Sequence, residues 1–194
     1  MNPNVKIIEE KILSDDWYVL KKIIFEYRNK NGEWKIQSRE AHDRGNGAVI
    51  LLYNKITQTV ILTEQFRMPT YINGNETGML IEACAGLLDR DNPEECIRRE
   101  TEEETGYRIG EVKKIFEAYM SPASVTEVLH FFIAEYTKEM KINEGGGVED
   151  EQENIDVLEI DFNKALAMIN TGEIKDGKTI MLLQYAQIND LLKF

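Results

Sequence analysis

Residues 80–107, LIEACAGLLDRDNPEECIRRETEEETGY, restrict the folds open to this chain more than any other stretch. They read as a short apolar strand over 80–85, a loop opened by Gly86, and a helix that starts near Pro93 and stops at Gly106. Asn92 suits the N-cap and Pro93 the first helical position, and Glu95 stands where a capping-box carboxylate reaches back. Glu94 with Arg98, and Glu95 with Arg99, are spaced four apart in the favourable order and support the first turns.

The last turns carry Glu100, Glu102, Glu103 and Glu104, and the 100/103 and 100/104 spacings gather three carboxylates on one side. Like charges at that spacing oppose one another, and the helix dipole disfavours anions near a C-terminus. A cation is therefore expected there. Hard divalent ions such as Mg2+ take oxygen ligands from carboxylates, water and substrate phosphates. The plainer alternative is a solvated acidic face.

The segment Arg99-Glu100-Thr101-Glu102-Glu103-Glu104-Thr105-Gly106-Tyr107, preceded by Gly86 and Asp91, resembles the box of the Nudix hydrolases, Gly-x5-Glu-x7-Arg-Glu-U-x-Glu-Glu-x-Gly-U, with U bulky and apolar. The metal-binding half is intact. In the loop, four residues rather than five separate Gly86 from the acidic position, which holds Asp91, and Thr101 takes an aliphatic position. Further strings, among them KILSD (11–15), DRGNG (43–47), EACAGLLD (82–89), YMSP (119–122), GGGVEDE (145–151) and DGKT (176–179), resemble the GDP-mannose-hydrolysing members of the ADP-ribose pyrophosphatase branch.

That resemblance implies an α+β fold, an α/β/α sandwich, with an N-terminal antiparallel β element at 1–44 exchanged between the subunits of a homodimer and a hydrolase domain at 45–194. It implies Mg2+, with Mn2+ as the alternative, and hydrolysis of GDP-mannose to GMP and mannose 1-phosphate. ADP-ribose is the alternative substrate, and a non-catalytic nucleotide-sugar sensor is the reading from another class. By matching position, the metal falls to the Ala85 carbonyl, Glu100, Glu104 and Glu151. Glu103 assists as ligand or base. Substrate contacts fall to Trp17, Ser38, Arg39, Glu40, Arg67, Ala85, Gly86, Leu87, Glu104, Glu127, Asp150, Glu151 and Lys178.

The residues themselves support several of these roles. Glu149 and Glu151 follow Gly145, Gly146 and Gly147, whose freedom would let a carboxylate swing toward a bound water as general base. Trp17 offers a stacking face, and Arg39 and Arg67 offer two-pronged phosphate geometry. His42 and His130 fit no catalytic pattern and read as structural.

A net charge of −12 argues against a nucleic-acid or anionic-membrane surface, because phosphate backbones are bound by excess Lys and Arg. Two cysteines, Cys84 and Cys96, are too few for a disulfide framework, and no run approaches the length of a membrane span, so a cytoplasmic setting is expected. Along the chain, strands are expected over 17–28 and 34–39 as a hairpin through Asn31-Gly32, then over 48–53, 59–66, 112–120, 128–136 and 155–160. Residues 68–78 read as a binding loop. Helices are expected from Asp161 to Gly172 and from about Gly177 to Leu192.

Overall fold

Asn31-Gly32 reverses the chain as the sequence requires, with Gly32 at φ +84° and its N–H donating to the Asn29 carbonyl at 3.0 Å. These and the following coordinates come from a computed structural model that describes residues 2–88, 92–148 and 153–192. The turn joins β2 (Val19–Arg28) to β3 (Trp34–Asp43), and β1 (Val5–Asp15) completes an antiparallel sheet in the order β1-β2-β3. The first strand is additional to the two read from sequence. Its register shifts between Ile7 and Glu9 and again between Ile12 and Ser14, and such bulges break the period-two pattern by which a strand is recognised. Trp17 precedes β2 rather than opening it.

The chain divides into two compact units. One comprises Met1–Asn46 with Tyr119–Val128, and the other Gly47–Ala118 with Leu129–Phe194. In the second, the uninterrupted apolar run from Gly47 forms β4 (Gly47–Asn54), buried along its whole length. Such a strand must be central. It runs parallel to β9 (Val128–Glu135) on one side and antiparallel to β5 (Thr59–Phe66) and to β7 (Ala85–Leu87) on the other. The sheet order is β10-β5-β4-β9-β8, with β8 at Lys113–Tyr119 and β10 at Asp156–Asp161.

Residues 80–85 are not one strand, as the sequence suggested. β4 and β5 pair only near their hairpin, at Leu52 to Asn54, and then part. Into the gap goes β6 (Met79–Glu82), paired with β5, followed by β7, paired with β4. Gly86 thus lies inside a strand opposite Ala48 rather than opening a loop. Residues 68–78 are also more regular than expected, since Met68–Ile72 forms the short helix α1.

The box helix, α2 (Pro93–Thr105), starts and stops as read. Asn92 Oδ1 accepts from the N–H groups of Glu94 and Glu95, both at 3.0 Å, and Gly106 ends the helix at φ +77°. Among the described residues the reciprocal Glu95 bond is absent. Ala48, Ile50 and Leu52 face α2 and join Ile97, Tyr107 and Phe132 in one cluster. Alternation turns Val49 and Leu51 to the opposite face, where α4 (Gly177–Ile188) packs on β4 beside α3 (Phe162–Thr171). The result is the mixed α+β layering expected. The last helix stops at Ile188, short of Leu192, because Asn189 caps it and Asp190 turns at φ +50°.

Leu51 is fully buried at the centre of the sheet, so Leu51→Ala is expected to lower unfolding free energy by about 2–5 kcal/mol. Ile56→Ala, at a side chain 88% exposed, is expected to change it by less than about 0.5 kcal/mol. Denaturant titration of both variants checks the pair.

Candidate active site

Two acids of α2 turn toward β7 and the segment before it. Glu100 lies so close to Gly86 that a Cβ added there would collide with its carboxyl carbon and Cγ. Only glycine admits the carboxylate at this strand. One turn on, Glu104 is 2% exposed, and its Oε2 has no hydrogen-bond partner among the described residues. Burial, with the nearby charges of Glu153 and Glu100, pushes the Glu104 carboxyl up to about 8, while the Cys84 thiol and Arg67 oppose the rise. Burial and the neighbouring Glu104 together push the Cys84 thiol up.

The other box acids are differently placed. Arg99 reaches Glu100 at 3.0 Å and Glu103 at 3.1 Å, while Glu94 pairs with Arg98 at 3.2 Å. Among the described residues Arg99 thus pairs with Glu100 and Glu103 and not with Glu95. Glu102 faces away and takes two bonds from Arg108, at 2.8 and 2.9 Å. Thr101, polar where the box is apolar, is fully buried because its hydroxyl donates to the Ile97 carbonyl at 2.6 Å.

The candidates Arg67 and Lys178 belong to a charged network with Glu82 and Asp176, two acids that sequence reasoning did not single out. Glu82, at the end of β6 and 3% exposed, accepts from Arg67 Nε at 2.6 Å and from Lys178 Nζ. Lys178 also reaches Asp176 Oδ1 at 3.0 Å. Asp176 caps α4 by accepting from the Thr179 N–H at 2.9 Å and its hydroxyl at 2.6 Å, and Thr179 Oγ1 accepts from the Ala83 N–H at 2.6 Å. The sequence signal at Glu82 is a lone acid inside the apolar run 79–85.

The three glycines after Asn143 serve a definite geometry. Gly145, Gly146 and Gly147 have φ of +71°, +109° and +84°, which other residues rarely adopt. Gly146 and Gly147 donate to the carbonyls of Glu104 and Glu103 at 2.9 and 3.1 Å, satisfying groups that a helix C-terminus leaves open. Val148 N–H donates to Glu153 Oε2 at 3.2 Å. Glu149, Asp150 and Glu151 lie outside the described residues, as does Asp91.

The remaining candidates belong to the N-terminal unit. Trp17 is 82% exposed and meets Tyr18 edge-on. Ser38, Arg39 and Glu40 lie on β3, where Arg39 donates to the Ser38 carbonyl at 2.8 Å. Arg39 and Glu40 line an open cleft of about 700 Å³ with Tyr119, Pro122 and Thr126. Glu127 pairs with Arg44 at 3.5 Å. His42 packs its ring on Tyr18, and His130 lies 3.3 Å from Glu117 in the other unit.

Among the described residues no three His, Cys, Asp or Glu side chains form a ready metal cage. A partnerless, buried Glu104 oxygen, with Glu100 fixed against a glycine, nevertheless fits a hard divalent ion, whose oxygen ligands these carboxylates can supply. No helix among the described residues is long and apolar enough to cross a membrane.

Comparison with known proteins agrees with this geometry. Residues 43–180 match the model of the NUDIX domain, and residues 4–42 match that of the GDP-mannose pyrophosphatase NudK N-terminal domain. The chain is 61% identical over 188 residues to a GDP-mannose pyrophosphatase of Pectobacterium atrosepticum, covering 97% of this chain and 96% of that one. It is 59% identical to one from Enterobacter sp. (strain 638) and 56% identical to one from Citrobacter koseri, in each case over 99% of this chain and 100% of the relative. With the box acids on α2 and the two family matches running consecutively over residues 4–180, the chain belongs to the Nudix hydrolase family, in the group that carries the NudK N-terminal domain ahead of the NUDIX domain.

Proposed function

We propose that the chain is a cytoplasmic, Mg2+-dependent homodimer that hydrolyses GDP-mannose to GMP and mannose 1-phosphate. The observation that carries the chemistry is the buried Glu104 oxygen without a partner beside Glu100. The names of the relatives, at 56–61% identity over nearly the whole chain, support the choice of substrate.

The Ala85 carbonyl, Glu100, Glu104 and Glu151 are the proposed ligands, with Mn2+ as the other candidate ion. Bound there, the ion would neutralise the diphosphate oxygens and acidify a water. The chain's own groups do the rest. Arg67 donates to phosphate oxygens, and Glu151, or Glu103 in its place, accepts the proton of the attacking water. Glu103 is less available for that role, since Arg99 engages it at 3.1 Å. Trp17, Ser38, Arg39, Glu40 and Glu127 are proposed to recognise the rest of the nucleotide sugar, with Gly86, Leu87 and Asp150 near the diphosphate.

Homodimer formation through residues 1–44 is supported by the apolar side chains that β1 and β2 leave uncovered, among them Ile7, Ile12 and Tyr27. A chain lacking residues 1–44 is expected to sediment as a monomer and to hydrolyse poorly. A fully active truncated monomer would remove that part of the proposal.

The purified protein with Mg2+, offered GDP-mannose, other nucleotide sugars and ADP-ribose, is expected to turn over GDP-mannose best, with GMP and mannose 1-phosphate as products. Preference for ADP-ribose would overturn the substrate assignment. Glu100→Gln and Glu151→Gln are each expected to cost at least about 100-fold in kcat, with circular dichroism unchanged.

Glu104 also sets a pH dependence. Its carboxyl is raised from 4.5 to about 8 in the folded chain, so between those values the native state keeps a proton that the unfolded chain releases. That stabilisation is complete below about 4.5 and is lost as pH rises through about 8. In chelator, thermal melts are expected to fall by several degrees between pH 6 and pH 9, and Mg2+ to restore much of the loss at pH 9. A Glu104→Gln variant with the same pH dependence as the parent would show that another group is responsible.

A further inference from the structure

We propose that Glu82 is a positioning residue for the phosphate-binding arginine: its buried carboxylate grips Arg67 by the Nε edge and leaves the two-pronged Nη end for the diphosphate. The inference rests on the reading that Arg67 binds phosphate, and it gives that reading a mechanical basis.

The geometry is specific. Arg67 follows β5 and Glu82 ends β6, the strand paired with it, so the bond of 2.6 Å crosses two strands whose register is fixed from Thr63 to Phe66. Among the described residues no group bonds the Nη atoms of Arg67, whose side chain is 40% exposed, while the Glu82 side chain is 5% exposed. One end of the guanidinium is thus held in the protein and the other is open. The side that a carboxylate leaves unused is the side that forks around phosphate oxygens.

Glu82 is itself held. Lys178 closes on its other oxygen and on Asp176 at 3.0 Å, Asp176 accepts from Thr179, and Thr179 accepts from the N–H of Ala83, the next residue after Glu82. The loop returns to its starting point. Two anions and two cations balance within it, and their pairing offsets the cost of burying the carboxylate. Lys178 has two of its three donor positions committed to carboxylates, which makes it part of this support more than a direct contact to sugar or phosphate. The Ala83 end of the loop lies two residues before Ala85, so the support also steadies the strand that carries the metal-binding carbonyl proposed above.

A carboxylate serving only to neutralise buried cations would affect stability alone. A positioning role predicts coupling to Arg67 in phosphate affinity. Full-length protein in Mg2+ would be titrated calorimetrically with inorganic pyrophosphate, a diphosphate probe without base or sugar, as the parent, Glu82→Gln, Arg67→Ala and the double variant. Glu82→Gln is expected to weaken pyrophosphate binding about tenfold, and the double variant to bind within about twofold of Arg67→Ala. With GDP-mannose the same loss is expected in KM, with kcat changed less than about threefold.

Glu82→Asp keeps the charge and shortens the reach, and it supplies the same cycle should the Gln variant fail to fold. Parental affinity in Glu82→Gln or Glu82→Asp, losses that multiply in the double variant, or a parent that does not bind pyrophosphate would overturn the proposal. A coupled pyrophosphate cycle in a protein that leaves GDP-mannose intact would support it while overturning the substrate assignment.

Discussion

A carboxylic acid buried with one of its oxygens lacking a hydrogen-bond partner is costly, and among the described residues Glu104 imposes that cost on this chain. It sits in the last turn of α2, where the helix dipole already opposes negative charge, with Glu100 and Glu153 adding to the opposition. The surrounding structure holds the acid in place all the same. Thr101 and Thr105 bond back to carbonyls one turn earlier, Gly106 stops the helix in a left-handed conformation, and Gly146 and Gly147 bind the exposed carbonyls of its last turn. Packing of this kind around an unfavourable group marks a site whose stability depends on what it binds.

The divergence of β4 and β5 is the second structural condition. Because they pair for only three residues before parting, residues 79–87 enter between them and serve both edges. That single segment then supplies Glu82 to the charged network, Cys84 to Glu104, and Gly86 to Glu100. A continuous strand would have set all three residues on the same face of one ladder. Breaking it at Ala83 and Cys84 lets neighbouring residues address different partners.

The elements that could be read from sequence are those governed by local rules. Asn92, Pro93 and Gly106 bounded α2 correctly, Asp161 and Gly172 bounded α3, and Asn31-Gly32 placed the hairpin, since caps and turns need only near neighbours. β1 was missed because its two bulges erase the alternation, and the β6/β7 break was missed because it depends on where distant strands separate. In the site, the acidic spacing pointed to Glu100 and Glu104. It gave no warning that Arg99 would engage Glu103 or that Glu82 would join Arg67 to Lys178, because those partners lie outside the helix or depend on rotamers.

Charge explains why the cations need this much support. At a net −12, the average field of the chain repels a diphosphate, and general attraction cannot concentrate such a substrate. Affinity then has to come from a few positive groups at short range, where Coulomb energy outweighs the distant background. A mobile arginine would spend much of its time on the nearest surface acid, and this chain has 35 aspartates and glutamates against 23 lysines and arginines. Anchoring Arg67 by one edge to a buried carboxylate satisfies its need for a counter-ion without closing its other edge, so the guanidinium remains open to a phosphate in an otherwise acidic protein.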